Sequence, residues 1–184
     1  QRIFRPLGMV DTSFWVPPAK VSRLAAFYTL DDDGRLALVD PPQGEFARPR
    51  VFLSGGSGLV STAPDYLRFA QMLLNGGTLE GVRILRPESV AAMTADQLPP
   101  GVAYGFGAPE PGYGFGLGFA TRRSTGEASF VTPAGDYWWG GAGGTYFWAD
   151  PRSDLFVIFM MQSPKQRGLY RSVLRNMVYA AVEK

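Results

Sequence analysis

A run of seven apolar residues, Leu155-Phe156-Val157-Ile158-Phe159-Met160-Met161, follows residues 137–149 after a link of only Asp150-Pro151-Arg152-Ser153-Asp154. Residues 137–149 also read as a strand, and strands joined by so short a turn must pair antiparallel. A helix then begins near Ser163 and Pro164. Its residues Tyr170, Val173, Leu174, Met177, Val178 and Ala181 recur at helical spacing as one apolar stripe, with Arg171 and Arg175 opposite. The expectation is that this stripe packs on the sheet and that the basic stretch Lys165, Arg167, Arg171, Arg175 forms the wet face. An antiparallel sheet with helices laid against it is an α+β fold.

Upstream, Tyr113-Gly114-Phe115-Gly116-Leu117-Gly118-Phe119 alternates large apolar residues with glycine. One face of such a strand is nearly bare backbone, which marks close approach by another chain segment or a ligand. The expected sheet is therefore built from segments 113–121, 137–149 and 155–162, with the helix 163–182 across it. Residues 62–76 predict a second helix, in which Thr62 caps, Asp65 holds the reciprocal capping-box place, and Tyr66, Phe69, Ala70 and Leu73 form the buried face. Asn75-Gly76-Gly77 ends it. A shorter helix starts at Pro87 and runs through Val90 and Met93. Residues 1–58 are broken by six prolines, with a strand–turn–strand at residues 27–39. The aspartates of that turn do not make a calcium loop: counted from Asp31, positions 6 and 12 hold Leu36 and Pro42 instead of glycine and glutamate. The whole chain reads as a single region, with an irregular lobe at 1–58, helices at 59–97, and sheet strands and the final helix at 98–184.

With 184 residues, 46% of them hydrophobic, the chain can bury one sizeable core. No stretch approaches the roughly 18 apolar residues of a membrane helix. Histidine and cysteine are both absent, so a Ser-His-Asp triad, a thiol nucleophile and a histidine or cysteine metal centre are excluded. No metal or other cofactor is expected. The formal charge of +2 is spread along the chain, whereas a nucleic-acid groove needs a broad basic stripe with stacking aromatics. The chain opens Gln1-Arg2-Ile3 without an initiator Met or a signal peptide, so the expectation is a preceding segment, with either cytoplasmic or periplasmic residence.

Two glycine-rich motifs invite a chemical reading. Gly55-Gly56-Ser57-Gly58 resembles a nucleophile elbow, but Leu59 stands where G-x-S-x-G requires glycine. It reads as a tight turn feeding the 62–76 helix, and Ser57 is not expected to be a nucleophile. Trp138-Trp139-Gly140-Gly141-Ala142-Gly143-Gly144 is either a bulged or closely packed strand or one whose backbone N–H groups face a substrate.

Ordered segments across most of the chain resemble the serine β-lactamase-related hydrolases, and most closely the family VIII carboxylesterases, relatives of class C β-lactamases. Phe4-Arg5-Pro6-Leu7-Gly8-Met9-Val10-Asp11-Thr12-Ser13-Phe14 is similar to that family's F-x-PLGM-x-DT-x-F stretch. Gly56-Ser57-Gly58-Leu59-Val60-Ser61-Thr62, with Asp65, Tyr66 and Phe69 after it, is similar to GGLVST-x-x-D-x-x-x-F. Leu73-Leu74-Asn75-Gly76-Gly77, Gly81-Val82-Arg83-Ile84-Leu85, Tyr113-Gly114-Phe115-Gly116-Leu117-Gly118 and Trp139-Gly140-Gly141 follow in the family's order.

The resemblance implies the carboxy-terminal portion of a β-lactamase/transpeptidase-like domain. The family's Ser-x-x-Lys occurs nowhere in these residues, and Tyr170-Arg171-Ser172 matches Tyr-x-Ser by letters alone, on the last helix. Nucleophile and base are thus expected outside this chain, and the chain by itself is expected to be inactive. The third family motif aligns with Trp139-Gly140-Gly141, so the resemblance makes these three residues the substrate wall and the Ala142 backbone N–H half of an oxyanion hole. A tryptophan where β-lactamases and peptidases carry a cation points to neutral acyl esters. A β-lactamase or D-amino-acid peptidase, and a non-catalytic binding module, remain alternatives. The expected partners are a small-molecule ester or β-lactam-like substrate and either the missing amino-terminal half or a second copy, since further strands from that half would otherwise leave a sheet edge unpaired.

Overall fold

The computed structural model describes residues 1–102, 111–127 and 132–182. Strands β1 (Phe27–Leu30) and β2 (Leu36–Asp40) pair antiparallel, as the strand–turn–strand pattern predicts. Helix α1 (Ala63–Leu74) starts where Thr62 Oγ1 accepts the Asp65 N–H at 3.4 Å. It ends where Gly76 and Gly77 turn into positive φ, with the Gly77 N–H on the Met72 carbonyl at 2.8 Å. A side chain at 77 would strike the Leu85 carbonyl at 2.3 Å, so only glycine fits. A small ladder of β3 (Thr78–Leu79) and β4 (Val82–Arg83) leads into α2 (Pro87–Thr94), where Val90 is buried.

The main sheet is a five-stranded antiparallel meander of β5 (Tyr113–Phe115), β6 (Ala120–Arg122), β7 (Tyr137–Gly140), β8 (Tyr146–Asp150) and β9 (Leu155–Phe159). Two of the expected strands are in fact hairpins. Residues 113–121 fold back at Gly116–Phe119, where Gly118 has φ +103° and the Gly116 N–H reaches the Phe119 carbonyl. Residues 137–149 fold back at 141–145, where Gly144 has φ +119°. Glycine density that looked compatible with long strands instead makes turns, because φ > 0 is open to glycine and costly to others. The close approach expected near 113–119 comes from the chain itself: a Cβ at Gly116 would lie 2.0 Å from the Met93 carbonyl, and one at Gly114 2.2 Å from Asp96 Oδ1.

All five β8 residues are buried because helices cover both faces. Phe147 and Ala149 join Met72 and Leu73 of α1 in the principal core. Tyr146, Trp148 and Asp150 face α3 (Arg167–Ala181), which Arg175, Arg171 and Tyr179 tie to the sheet. The sheet's outer strands are β5 and β9, and no described strand pairs with the outer side of either.

Helix α3 lies on the sheet, but turned from the face expected. Arg175 is its one fully buried residue and Arg171 is half-buried, whereas Tyr170, Val173, Met177 and Ala181 of the stripe are exposed. Leu174 and Val178 are half-buried, and Lys165 and Arg167 lie exposed as expected. The reason is an acid under the helix. Asp136 is wholly buried beside β7, and Arg175 Nη1 meets its Oδ2 at 3.0 Å. Tyr113 donates its hydroxyl to Asp136 Oδ1 at 2.7 Å and accepts from Arg175 Nη1 at 2.7 Å. The guanidinium also lies over the Trp148 ring at 4.9 Å. Burying a lone carboxylate costs several kcal/mol, so the arginine is drawn inward and the apolar stripe turns out.

Candidate active site

The family-motif stretches at residues 4–14 and 56–69 converge. Asp65 Oδ2 accepts the Asp11 N–H and the Thr12 hydroxyl, both at 2.7 Å, and Thr12 Oγ1 lies 2.8 Å from Ser61 Oγ. Asp65 therefore does not complete a capping box; its carboxylate holds the 4–14 stretch instead. Arg68 donates to the Leu7 carbonyl and pairs with Glu80 at 2.6 Å. Asp11 takes Lys20 at 2.5 Å and Arg23 at 2.7 Å, and these bonds lower its pKa to about 2.

Ser57 sits exposed in the 55–57 turn, as the sequence predicts. Its hydroxyl lies 3.4 Å from Ser54 Oγ, and among the described residues no carboxylate hydrogen-bonds to it. An open depression of about 540 Å³ beside Ser57 is lined by Arg48, Arg50, Val51 and Phe52, and it shares no residue with the β7–β8 hairpin.

That hairpin carries the other candidate. Antiparallel residues alternate between faces: Trp139, opposite Phe147, projects to the α1 side, and Gly140, opposite Tyr146, to the α3 side. Trp139 packs edge-on against Phe115 at 5.2 Å between centroids. The described β6 ladder runs to Trp138, opposite Ala120. The Gly141 N–H bonds the Thr145 carbonyl at 2.8 Å, which turns the Gly140 amide and carbonyl to the β6 side of the strand. Ala142 follows at the exposed tip of the turn, and among the described residues no acceptor meets its N–H.

The glycines at 140 and 141 leave room for side chains of the chain itself. A Cβ at 140 would sit 2.2 Å from Arg171 Nη2, and one at 141 2.3 Å from Thr145 Oγ1. Arg171 Nη2 donates to the carbonyls of Gly141 (3.1 Å) and Thr145 (3.2 Å), and Arg167 Nη1 donates to that of Ala142 (2.9 Å). The arginines expected in water thus hold the candidate turn.

Burial pushes the Tyr113 and Tyr137 hydroxyls up to about 12, and raises Tyr146 as well. A tyrosine base needs the opposite shift, so none of the three fits that role. Tyr170 lies on the outward side of α3. Among the described residues no group of three or more acids is placed to hold a metal ion, and no helix is long and apolar enough to cross a membrane.

A family model described as Beta-lactamase matches residues 1–180. The chain belongs to the beta-lactamase family. Protein Rv1367c of Mycobacterium tuberculosis is 39% identical over 170 residues, covering 88% of this chain and 42% of that protein. Esterase EstB of Burkholderia gladioli is 30% identical over 199 residues, covering 97% of this chain and 47% of its own. This beta-lactamase-family chain thus spans less than half the length of both. Simvastatin synthase (LovD) from Aspergillus terreus superposes with a TM-score of 0.78 at 25% identity, covering 100% of this chain and 48% of that one. EstCE1, a hydrolase with promiscuous acyltransferase activity, gives 0.81 at 24% identity over 96% of this chain and 48% of its own, a likeness of fold alone. Family members are hydrolases, esterases and β-lactamases among them.

The residues around the candidate turn and its helix whose contacts sequence reasoning missed are Asp136, Tyr113 and the arginines of α3. A signal was present: Arg167, Arg171 and Arg175 stand at i, i+4 and i+8, one face of a helix.

Proposed function

We propose that this chain supplies the oxyanion strand of a serine esterase that works through an acyl-enzyme, with nucleophile and base carried on a Ser-x-x-Lys segment outside these 184 residues. The serine oxygen adds to the ester carbonyl, whose oxygen takes up the negative charge. The alcohol leaves with a proton, and water then cleaves the acyl-serine to the free acid. An N–H aimed at that oxygen, shielded from water, stabilises both transition states.

The observation that carries this reading is the Ala142 N–H, unmet by any described acceptor in the turn that follows β7. Trp139, apolar and packed beside the site, favours a neutral acyl ester over a carboxylate-bearing β-lactam. The outer side of β9, which no described strand pairs, and the exposed Leu169, Tyr170, Val173 and Met177 support a chain that functions joined to a further portion of polypeptide.

In the full-length enzyme, Ala142→Pro removes the donor and is expected to lower kcat on p-nitrophenyl butyrate by about 10²–10³. Ala142→Gly keeps the N–H and is expected to stay within about tenfold of the parent. Circular dichroism establishes that both variants are folded. Equal turnover by the two would end the oxyanion assignment, and faster turnover of nitrocefin than of the ester would make the protein a β-lactamase.

A further inference from the structure

We propose that Arg171 is a positioning residue for catalysis: it holds and polarises the peptide group whose N–H is the oxyanion donor, and Arg167 braces the next peptide. This rests on the oxyanion reading above. The Gly141 carbonyl and the Ala142 N–H belong to one planar peptide unit. Arg171 Nη2 donates to that carbonyl at 3.1 Å and to the Thr145 carbonyl at 3.2 Å, so one cation spans both sides of the turn. A charge-assisted bond at the carbonyl end draws electron density from the amide end and makes its proton a better donor. The same bond fixes the plane of the peptide, and therefore the direction in which the N–H points.

Arg167 does the equivalent for the Ala142–Gly143 peptide, at 2.9 Å from the Ala142 carbonyl. The Gly143 carbonyl is held by the Ser163 N–H at 2.7 Å. Three successive carbonyls of the turn, 141 to 143, are thus all bound to α3 or to the segment that leads into it.

Arg171 is itself held in place. Its guanidinium lies over the Tyr146 ring at 5.1 Å, and Arg175, one turn on, is anchored to Asp136. Gly140 is the sequence correlate: any side chain there would occupy the position of Arg171 Nη2.

The test uses the full-length enzyme with Arg171→Met, Arg171→Gln and Arg171→Lys. Arg171→Met keeps the apolar stem and loses the donor. It is expected to lower kcat about tenfold, a fraction of the loss from deleting an oxyanion donor outright, with KM changed less than about twofold. Arg171→Lys, which keeps charge and donor, is expected to recover most of the loss, and Arg171→Gln an intermediate share. The acyl-enzyme carbonyl stretch is the second readout. Weaker hydrogen bonding in Arg171→Met moves it to higher frequency, which a purely structural role would not do. If Arg171→Met does not fold, Arg171→Gln and Arg171→Lys carry the comparison.

Unchanged kcat and carbonyl frequency in a folded Arg171→Met or Arg171→Gln variant, while Ala142→Pro remains slow, would overturn the clamp and leave the oxyanion assignment standing. A fully active Ala142→Pro would overturn both.

Discussion

Replacing Arg175 by Met tests the account of why α3 sits as it does. Arg175 and Asp136 are both fully buried and 3.0 Å apart. Without the guanidinium, the Asp136 carboxylate keeps the Tyr113 hydroxyl and the weaker pull of Arg122 but loses its ion-pair partner on α3. Stranding one member of a buried pair costs about 3–5 kcal/mol, a large share of the roughly 5–15 kcal/mol that holds a domain folded. With a urea slope of about 2 kcal/mol/M, the middle of the usual range, the midpoint is expected to fall by about 1.5–2.5 M. Trp148, buried beneath the arginine, supplies a fluorescence signal for the urea titration. The double variant Arg175→Met, Asp136→Leu removes the stranded charge and is expected to recover most of the loss, because apolar replacement of a buried pair is often near neutral. Burial already pushes Asp136 above its usual 3.8 against the pull of Arg175. In Arg175→Met that upward shift grows, so the folded state holds a proton that the unfolded chain releases, and the deficit shrinks as pH falls toward 3.8. A single variant that loses under about 1 kcal/mol, or a double as unstable as the single, would refute the argument.

Asp65→Ala leaves the Asp11 N–H and Thr12 hydroxyl without their acceptor, and is expected to cost about 2–3 kcal/mol in urea unfolding, with Asp65→Asn milder. Asp11, lowered to about 2 from 3.8, contributes stability that is complete above 3.8 and lost as pH falls through about 2; Asp11→Asn should flatten that acid limb in a thermal-melt series. The 184-residue chain on its own should take up no stoichiometric fluorophosphonate label, and labelling of Ser57 at a serine-hydrolase rate would restore the elbow reading.

Short-range chemistry made much of this protein legible in its sequence. The cap at Thr62, the glycines ending α1, the proline opening α2 and the link at 150–154 each act within a few residues, so letters alone place those elements. The missing histidine and cysteine limited the chemistry, and the ordered motifs pointed to the family. The two hairpins were misplaced because a glycine may serve either a strand or a turn, and only the neighbouring strand decides. The face of α3 was misplaced for a stronger reason. Helical periodicity ranks residues by their affinity for water, and on that scale Arg171 and Arg175 belong outside, as Arg167 does. The inward position of Arg175 was decided by Asp136 and Tyr113, at least 39 residues away along the chain, and Arg167 and Arg171 reach the turn carbonyls at 141, 142 and 145. A buried charge calls for its counterion wherever the chain can supply one, and that demand becomes visible only once the chain is folded.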